Sequence, residues 1–390
     1  MKISNSKTIL LVSSILFLCF SALQTESVQA QGVNFETDEG WILNVTGQIP
    51  VFVVASEHEG FSSDGDDQFA TRIRSGFNPA NITFHVEAPE MNGIRVKGIF
   101  QINHHLQGAS VQNDGLFEGR IADIQVSGDF GTLNIGKGFG VFNSSSIGDA
   151  GSAIGVGRFA GPDAANAALG RIGSGYTYAN FNPRLIYTTP DLNGFSAKIG
   201  LINPEKPSGA SNVEIQTATP RLETQANYVV DLNSGNLDFW VGAMAQNVEV
   251  ISADFDYNIS GWDVGARLSA GGFGLTGAYS QTNGVGADGL IGISLSGDGL
   301  DQADVAATQW YGEATYDINK LTLGVSYGEG SQDAEVTPVG SSPDITNELA
   351  MVFGRYAVTN NLKVLVELQD FASEAQNNYQ ALIVGMRLNF

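Results

Sequence analysis

The end of the chain, YQALIVGMRLNF (379–390), alternates between two kinds of side chain as far as the terminal Phe390. One set is Leu382, Val384, Met386, Leu388 and Phe390, and the other is Ala381, Ile383, Gly385, Arg387 and Asn389. Because successive side chains of a β-strand point to opposite faces, this pattern predicts a strand with one continuously apolar face. Such a strand fits a soluble β-sandwich or a barrel whose apolar face is outside.

The beginning of the chain predicts an export signal. Lys2 and Lys7 precede an apolar run from Ile9 to Leu23, and a small-residue cleavage site follows at Ala30. The run is too short and wrongly flanked for a membrane anchor, so residues 1–30 are interpreted as a signal peptide. Its removal also removes Cys19, and the mature chain is expected to form no disulfide and to carry out no thiol chemistry.

Composition narrows the class of the mature chain. Beyond the signal no apolar run reaches the roughly 18 residues that a spanning helix needs, whereas 48 Gly, 22 Phe and 11 Tyr suit many strands and turns. Loss of Lys2, Lys7 and Glu26 changes the net charge from −22 to −23. This acidic balance argues against a nucleic-acid partner, which requires clustered basic residues, and favours attraction of cations.

Short turn signals divide the chain into alternating segments. They are Pro89–Gly93, Gly128–Gly131, Pro190–Gly194, Asn233–Asn236, Gly271–Gly274, Asp317–Lys320 and Thr359–Asn361. Each supplies the Gly, Asn, Asp or Pro that a tight connection requires. Seven turns join fourteen strands, and the first and last segments add two, so we expect about sixteen strands, an even number within the range of bacterial barrels.

The remaining connections are longer, polar and acidic, as expected at the outer side of an outer-membrane barrel. They are 57–68, 107–115, 203–217, 281–304 and 328–343. In residues 94–103 and 362–369 the charged face is predicted to line the lumen, because a charge facing lipid costs about 2–4 kcal/mol at the midplane. In residues 321–327 the face of Thr322, Gly324 and Ser326 is predicted to do the same. Arg120 conflicts with the alternation of residues 121–127 unless a bulge intervenes.

One spacing between turns is about twenty residues longer than its neighbours. The excess is Gly140–Arg171, between a strand at 132–139 and one expected to begin near Gly173. This insert is rich in Gly, Ala, Ser and Asn. A loop that folds inward is a simple way to narrow the aqueous interior of a large barrel.

Several segments together resemble the general (trimeric) porins of the Gram-negative outer membrane. They are Asn44–Val54, Asn92–Gln101, Gly128–Lys137, Tyr316–Tyr327 and the strand ending at Phe390. The resemblance implies an all-β fold, a transmembrane antiparallel β-barrel formed by residues 31–390 with an inward constriction loop. It further implies a homotrimer in the bacterial outer membrane, contacts with its lipid and lipopolysaccharide, and recognition of Phe390 by the barrel-assembly machinery.

The resemblance also implies a constriction in which wall arginines face loop carboxylates. Arg74, Arg120 and Arg184 match the basic wall, and Asp149 and Asp163 are the candidate loop carboxylates. The insert departs from the family pattern because it has no glutamate. Opposed charges at a narrow point select permeants by charge and size, and guanidinium groups stay charged at working pH. Alternatively, an arginine at such a position is only a solvated residue of the barrel wall, without a role in the constriction.

The leading hypothesis is a porin, a water-filled channel through which small hydrophilic solutes and ions diffuse passively. No cofactor or metal is expected, since His104-His105 lacks a third ligand at a useful spacing. No Ser-His-Asp or Cys-His arrangement stands out, so the protein is not expected to be an enzyme. The alternatives are an outer-membrane barrel with a non-pore role, such as an adhesin or enzyme, and a soluble secreted β-rich protein.

Overall fold

The computed structural model describes residues 32–60, 64–106, 117–161, 168–208, 213–295 and 299–390. The predicted signal peptide, residues 1–30, and the predicted loop carboxylate Asp163 lie outside these residues. No helix in the described part of the chain is long and apolar enough to cross a membrane.

The described chain is almost entirely β-structure. Its strands are β1 (Val33–Glu36), β2 (Ile42–His58), β3 (Gln68–Arg74), β4 (Ala80–Glu87), β5 (Arg95–His104), β6 (Phe117–Gly128), β7 (Gly131–Phe139), β8 (Phe181–Thr188), β9 (Phe195–Ile202), β10 (Ile215–Gln216), β11 (Arg221–Leu232), β12 (Gly235–Val250), β13 (Phe255–Ala270), β14 (Phe273–Asn283), β15 (Ala306–Ile318), β16 (Leu321–Gln332), β17 (Glu335–Thr337), β18 (Gly340–Ser342), β19 (Ile345–Ala357), β20 (Leu362–Ser373) and β21 (Tyr379–Asn389). Three short 3₁₀ turns are Ser146–Gly148, Ile251–Ala253 and Gly299–Gln302.

Seventeen of these segments form the sixteen strands of a closed antiparallel barrel, the strand number that the turn signals predicted. Each barrel strand pairs with its neighbour in sequence, and β2 pairs with β21 from Gln48↔Asn389 to His58↔Tyr379. Strands β3 and β4 both pair with β2 and act as one interrupted barrel strand. Closure satisfies the backbone groups that an open sheet edge would leave unpaired.

The two ends of the described chain meet at this seam. Phe390 exchanges two backbone hydrogen bonds with Gly47, at N···O distances of 2.7 and 3.0 Å. Strand β1 then pairs with β2 from Val33↔Val45, beyond the point at which the chain ends. The last strand thus closes the barrel against β2, and β1 extends that closing edge.

All seven predicted tight turns connect barrel strands at one end of the barrel. The other end carries the longer connections, including a small β17–β18 hairpin, although residues 251–254 and 374–378 are short links there. The expected strand start near Gly173 is wrong, because β8 begins at Phe181. Residues 169–176 instead form tight turns, in which Ile172 N–H bonds to Leu169 and Ser174 N–H to Arg171.

The outward face is apolar, as predicted for the three registers in residues 94–103, 321–327 and 362–369. Phe100, Val325 and Leu368 are 50%, 53% and 53% exposed. Their inward neighbours Ser326 and Glu367 are buried inside the barrel. An apolar outer band with a polar interior is the arrangement that lipid on one side and water on the other require.

A β-bulge removes the conflict at Arg120. Gln101 pairs with Ile121, but the next residue, Ile102, pairs with Gly119, so Arg120 is the extra residue in β6. The extra residue reverses which of the following side chains in β6 face the lumen and which face outward. Asp123 therefore lies in the lumen, while Ile124 is 54% exposed on the outer face.

Candidate functional site: the lumen and its inward loop

The connection between β7 and β8, residues 140–180, folds into the barrel. Many of its described side chains are buried there, including Phe142, Val156 and Tyr176. The loop crosses itself where Gly157 bridges Gly170. Gly157 has a positive φ of 64°, and a Cβ there would lie 2.4 Å from the Gly170 Cα atom. The small residues of the insert thus permit a crossing that larger side chains would prevent.

Three glutamates on the barrel wall hold the loop by its backbone. Each accepts hydrogen bonds from two consecutive N–H groups, an arrangement in which adjacent amides form an anion-binding concavity. The three are Glu223 on β11 with Val141 and Phe142 (2.6 and 3.0 Å), Glu313 on β15 with Ala150 and Gly151 (2.5 and 2.7 Å), and Glu367 on β20 with Val156 and Gly157 (3.0 and 3.4 Å). We call these three residues the glutamate clasps.

Further wall residues hold the segments of the loop between the clasps. Arg267 on β13 donates to the Ser145 and Gly148 carbonyls at 3.0 and 3.2 Å. Tyr311 on β15 donates to the Ser146 carbonyl at 2.7 Å. From β7 the loop therefore follows the interior wall past β11, β13, β15 and β20 towards β3.

Asp149 is part of the interior of the loop. It is 1% exposed, and it accepts hydrogen bonds from Ser152 N–H at 2.7 Å and from Tyr176 Oη at 3.1 Å. The Arg171 guanidinium lies 3.9 Å away. Burial, and secondly the charge of Asp149, raise the pKa of Tyr176 well above its ordinary value.

Arg74 lies beneath the far end of the loop. It is 2% exposed, donates to the Gly161 carbonyl at 3.0 Å, and stacks 5.0 Å from the centre of the Phe159 ring. Arg158 is buried in the same region and donates to the Ile172 carbonyl at 2.9 Å. Burial lowers the pKa of the Arg158 guanidinium from its ordinary value.

Arg120 and Arg184 lie on β6 and β8, and neither forms a hydrogen bond to the described residues of the loop. The Arg120 side chain is 15% exposed, with its Nε 2.8 Å from Glu118, and it stacks over the Phe181 ring. The Arg184 side chain is 11% exposed and pairs at 2.9 Å with Asp123. Each of these arginines thus has a carboxylate partner on a barrel strand.

A polar cavity of about 360 Å³ remains in the lumen beside Arg120. Amide and hydroxyl side chains from β2 to β6 predominate in its lining, and Phe181 covers one side. The lining residues are Thr46, Gly47, Gln48, Asn78, Asn81, Thr83, Gln101, Asn103, Arg120, Ile121 and Phe181. Such a surface offers water and hydrophilic solutes hydrogen bonds without a deep apolar pocket.

Four of the five predicted constriction residues lie in the described part of the chain. Arg74 contacts the inward loop, and Asp149 is buried within it. Arg120 and Arg184 are on barrel strands and pair with carboxylates there. The sequence reasoning missed the glutamate clasps. Glu367 was assigned to the lumen face by its alternation, but its loop partners are 210 and 211 residues away in sequence. His105 approaches Glu118 at 3.0 Å, and no group of three potential metal ligands occurs among the described residues.

Comparison with known proteins places these features in a family. The sequence profile described as Gram-negative porin matches residues 19–376. A comparison with curated sequences finds no significant match.

Three solved structures illustrate the shared fold. The outer-membrane channel DcaP of Acinetobacter baumannii aligns with a TM-score of 0.66 at 13% identity, covering 92% of this chain and 100% of its own. An anion-selective porin from Comamonas acidovorans gives 0.63 at 15% identity, with 90% and 100% coverage. The trimer form of Vibrio cholerae OmpT gives 0.56 at 12% identity, with 90% and 99% coverage.

Proposed function

Because the chain belongs to the Gram-negative porin family, which makes it an outer-membrane channel for the passive diffusion of solutes, we propose that small hydrophilic solutes and ions pass along the polar lumen. The observation that carries this proposal is the polar cavity beside Arg120, which lies in the lumen of a closed barrel. Passage requires no catalytic group, and we propose none: exclusion by width and by charge is sufficient.

We propose that Arg120 and Arg184 are the basic residues that border the narrowest passage. The support for Arg120 is its place in the lining of the polar cavity, and the support for Arg184 is its partly exposed side chain on the lumen face of β8. Arg74, Asp149 and Asp163 stay predictions for the same role; the burial of the first two against the loop favours a part in holding the loop. Selectivity by charge is also a prediction, since the acidic balance favours cations and the two arginines oppose it.

We extend the proposal to the export of the protein and its assembly in the membrane. We propose cleavage after Ala30, delivery by the barrel-assembly machinery through the strand ending at Phe390, and assembly as a homotrimer. The trimer form of the V. cholerae protein supports the last point. The exposed apolar face of the barrel offers the surface that lipid, lipopolysaccharide or a neighbouring subunit would cover.

Planar-bilayer recording of the purified, folded protein tests the channel. Stepwise conductance increments are expected, in groups of three if the homotrimer inserts as a unit. A folded sample that produces no conductance would overturn the proposed function. Cross-linking in detergent provides an independent measure of the trimer.

A further inference from the structure

Three basic residues on adjacent strands face the lumen at the end of the barrel that carries the tight turns. They are Arg355 on β19, Lys363 on β20 and Arg387 on β21. Lys363 is directly opposite Arg387 in the ladder, and Arg355 is diagonal to Lys363 because it pairs with Leu365. We call these three residues the basic triad. The short-turn end of an outer-membrane barrel is periplasmic.

This arrangement is unfavourable for the empty barrel. Like charges directly opposite each other on one face of a sheet destabilise it. All three side chains are half-buried inside the barrel, so bulk water screens their repulsion less than it would on an open surface. A feature that costs stability in an otherwise acidic protein requires an explanation.

No carboxylate of the described chain lies within salt-bridge distance of any member of the triad. Two other lumen cations have carboxylate partners: Arg184 pairs with Asp123, and Lys97 pairs with Glu87 at 3.8 Å. Asp317, an acidic residue whose charge acts on Lys363, is exposed and accepts a hydrogen bond from Thr322.

The triad also has hydrogen-bond donors to spare. Lys363 makes no hydrogen bond to any other residue in the described ranges, so its ammonium donors are available. Arg387 donates to neutral amides only, those of Asn389 and Gln48. Arg355 donates to the Gly151 carbonyl at 3.3 Å, while its acidic neighbours Glu313 and Glu367 are occupied by the loop.

We propose that the basic triad is a binding site for small oxyanions, the phosphate or carboxylate groups of solutes, at the periplasmic end of the pore. An oxyanion would relieve the repulsion between Lys363 and Arg387 and accept charge-assisted hydrogen bonds from both. The site is continuous with the permeation path that we proposed above, because Arg387 donates to Gln48, a lining residue of the cavity beside Arg120. The inference thus rests on the proposed function for its role, but its test does not require conduction.

Calorimetric titration of the detergent-solubilised protein with inorganic phosphate at low salt tests the site. Saturable binding is expected for the unaltered protein, with an affinity lowered about tenfold or more in the double variant K363Q/R387Q. K97Q is the matched control, since it removes a lumen lysine at the same end of the barrel that already has a carboxylate partner. Its affinity for phosphate is expected to be unchanged.

Absence of saturable binding of both phosphate and malonate in the unaltered protein, or an equal loss in K97Q, would overturn the site. The variant K363R, which keeps the charge, guards against a folding defect and is expected to retain binding. Titration with malonate separates the two sources of the oxyanion: binding of either anion supports the site, and binding of neither refutes it. A conducting pore that binds neither anion refutes this inference alone, whereas a folded protein without conductance refutes the proposed function.

Discussion

The two sides of the lumen use charged residues in different ways. Along β11, β15 and β20 the glutamate clasps are buried and bind backbone amides of the loop. Along β6 and β8, Arg120 and Arg184 are paired with carboxylates but remain partly exposed, and Arg120 lines the cavity. Charge on a lumen face therefore does not identify a selectivity residue; the identity of its partner distinguishes an anchor from a group that a permeant meets.

The largest effect is expected from removing an anchor. The change Glu367→Ala leaves the N–H groups of Val156 and Gly157 without their acceptor, at a cost of about 1–3 kcal/mol for each buried donor. The loop should become mobile, which single-channel recording would detect as larger and noisier conductance. Asp370→Ala is the control, because Asp370 is on the same strand but exposed on the outer face. Equal noise in the two variants would contradict the role of the clasp.

Arg120 and Arg74, which the sequence assigns to the same basic wall, test the difference between a group that a permeant meets and an anchor. The change Arg120→Ser should raise cation preference, because a unit charge about 4 Å from an ion alters its energy by about 1 kcal/mol even in water, or roughly fivefold. Arg74→Ser should instead lower the melting temperature, since it removes the contact with the Gly161 carbonyl. Reversal potentials and thermal unfolding measure the two effects. An equally large shift in selectivity for Arg74→Ser would contradict the expected difference between the two arginines.

The smallest effect is expected from salt. Raising the ionic strength from 0.1 to 1 M shortens the Debye length from about 10 to about 3 Å. Selectivity that arises from the partly exposed Arg120 should fall across this range, as measured by reversal potentials at a fixed salt gradient. The melting temperature should change little, because the buried clasps are screened less. A steep loss of stability with salt would show that the clasps are open to solvent.

Much of the barrel was predictable because strand patterns and turn chemistry are local. The alternation of residues 362–369 and the turns from Pro89–Gly93 to Thr359–Asn361 were sufficient for the strand number and the faces. The bulge at Arg120 was visible only as a conflict of parity, since the pairing with Ile102 that resolves it belongs to another strand.

The interior of the barrel was less predictable because its contacts join distant parts of the chain. The sequence identifies Asp149 as a candidate pore carboxylate. Its hydrogen bond and its ion pair, however, are made with Tyr176 and Arg171 at the other end of the loop. The start of β8 at Phe181 was missed for a related reason. The turns before it are stabilised partly by the opposite wall, as in the bond from Gly175 N–H to Gln309.

The seam between β2 and β21 sets an order of events during biogenesis. The contacts between β2 and β21, such as Gln48 with Asn389, form only after the end of the chain has been synthesised. They have the greatest sequence separation in the sheet and therefore a high entropic cost of loop closure. Until they form, β2 presents an unpaired edge with the apolar side chains Val51 and Val53 beside it. Until then that edge is open to pairing with another chain, and deleting Phe390 is expected to prolong this period.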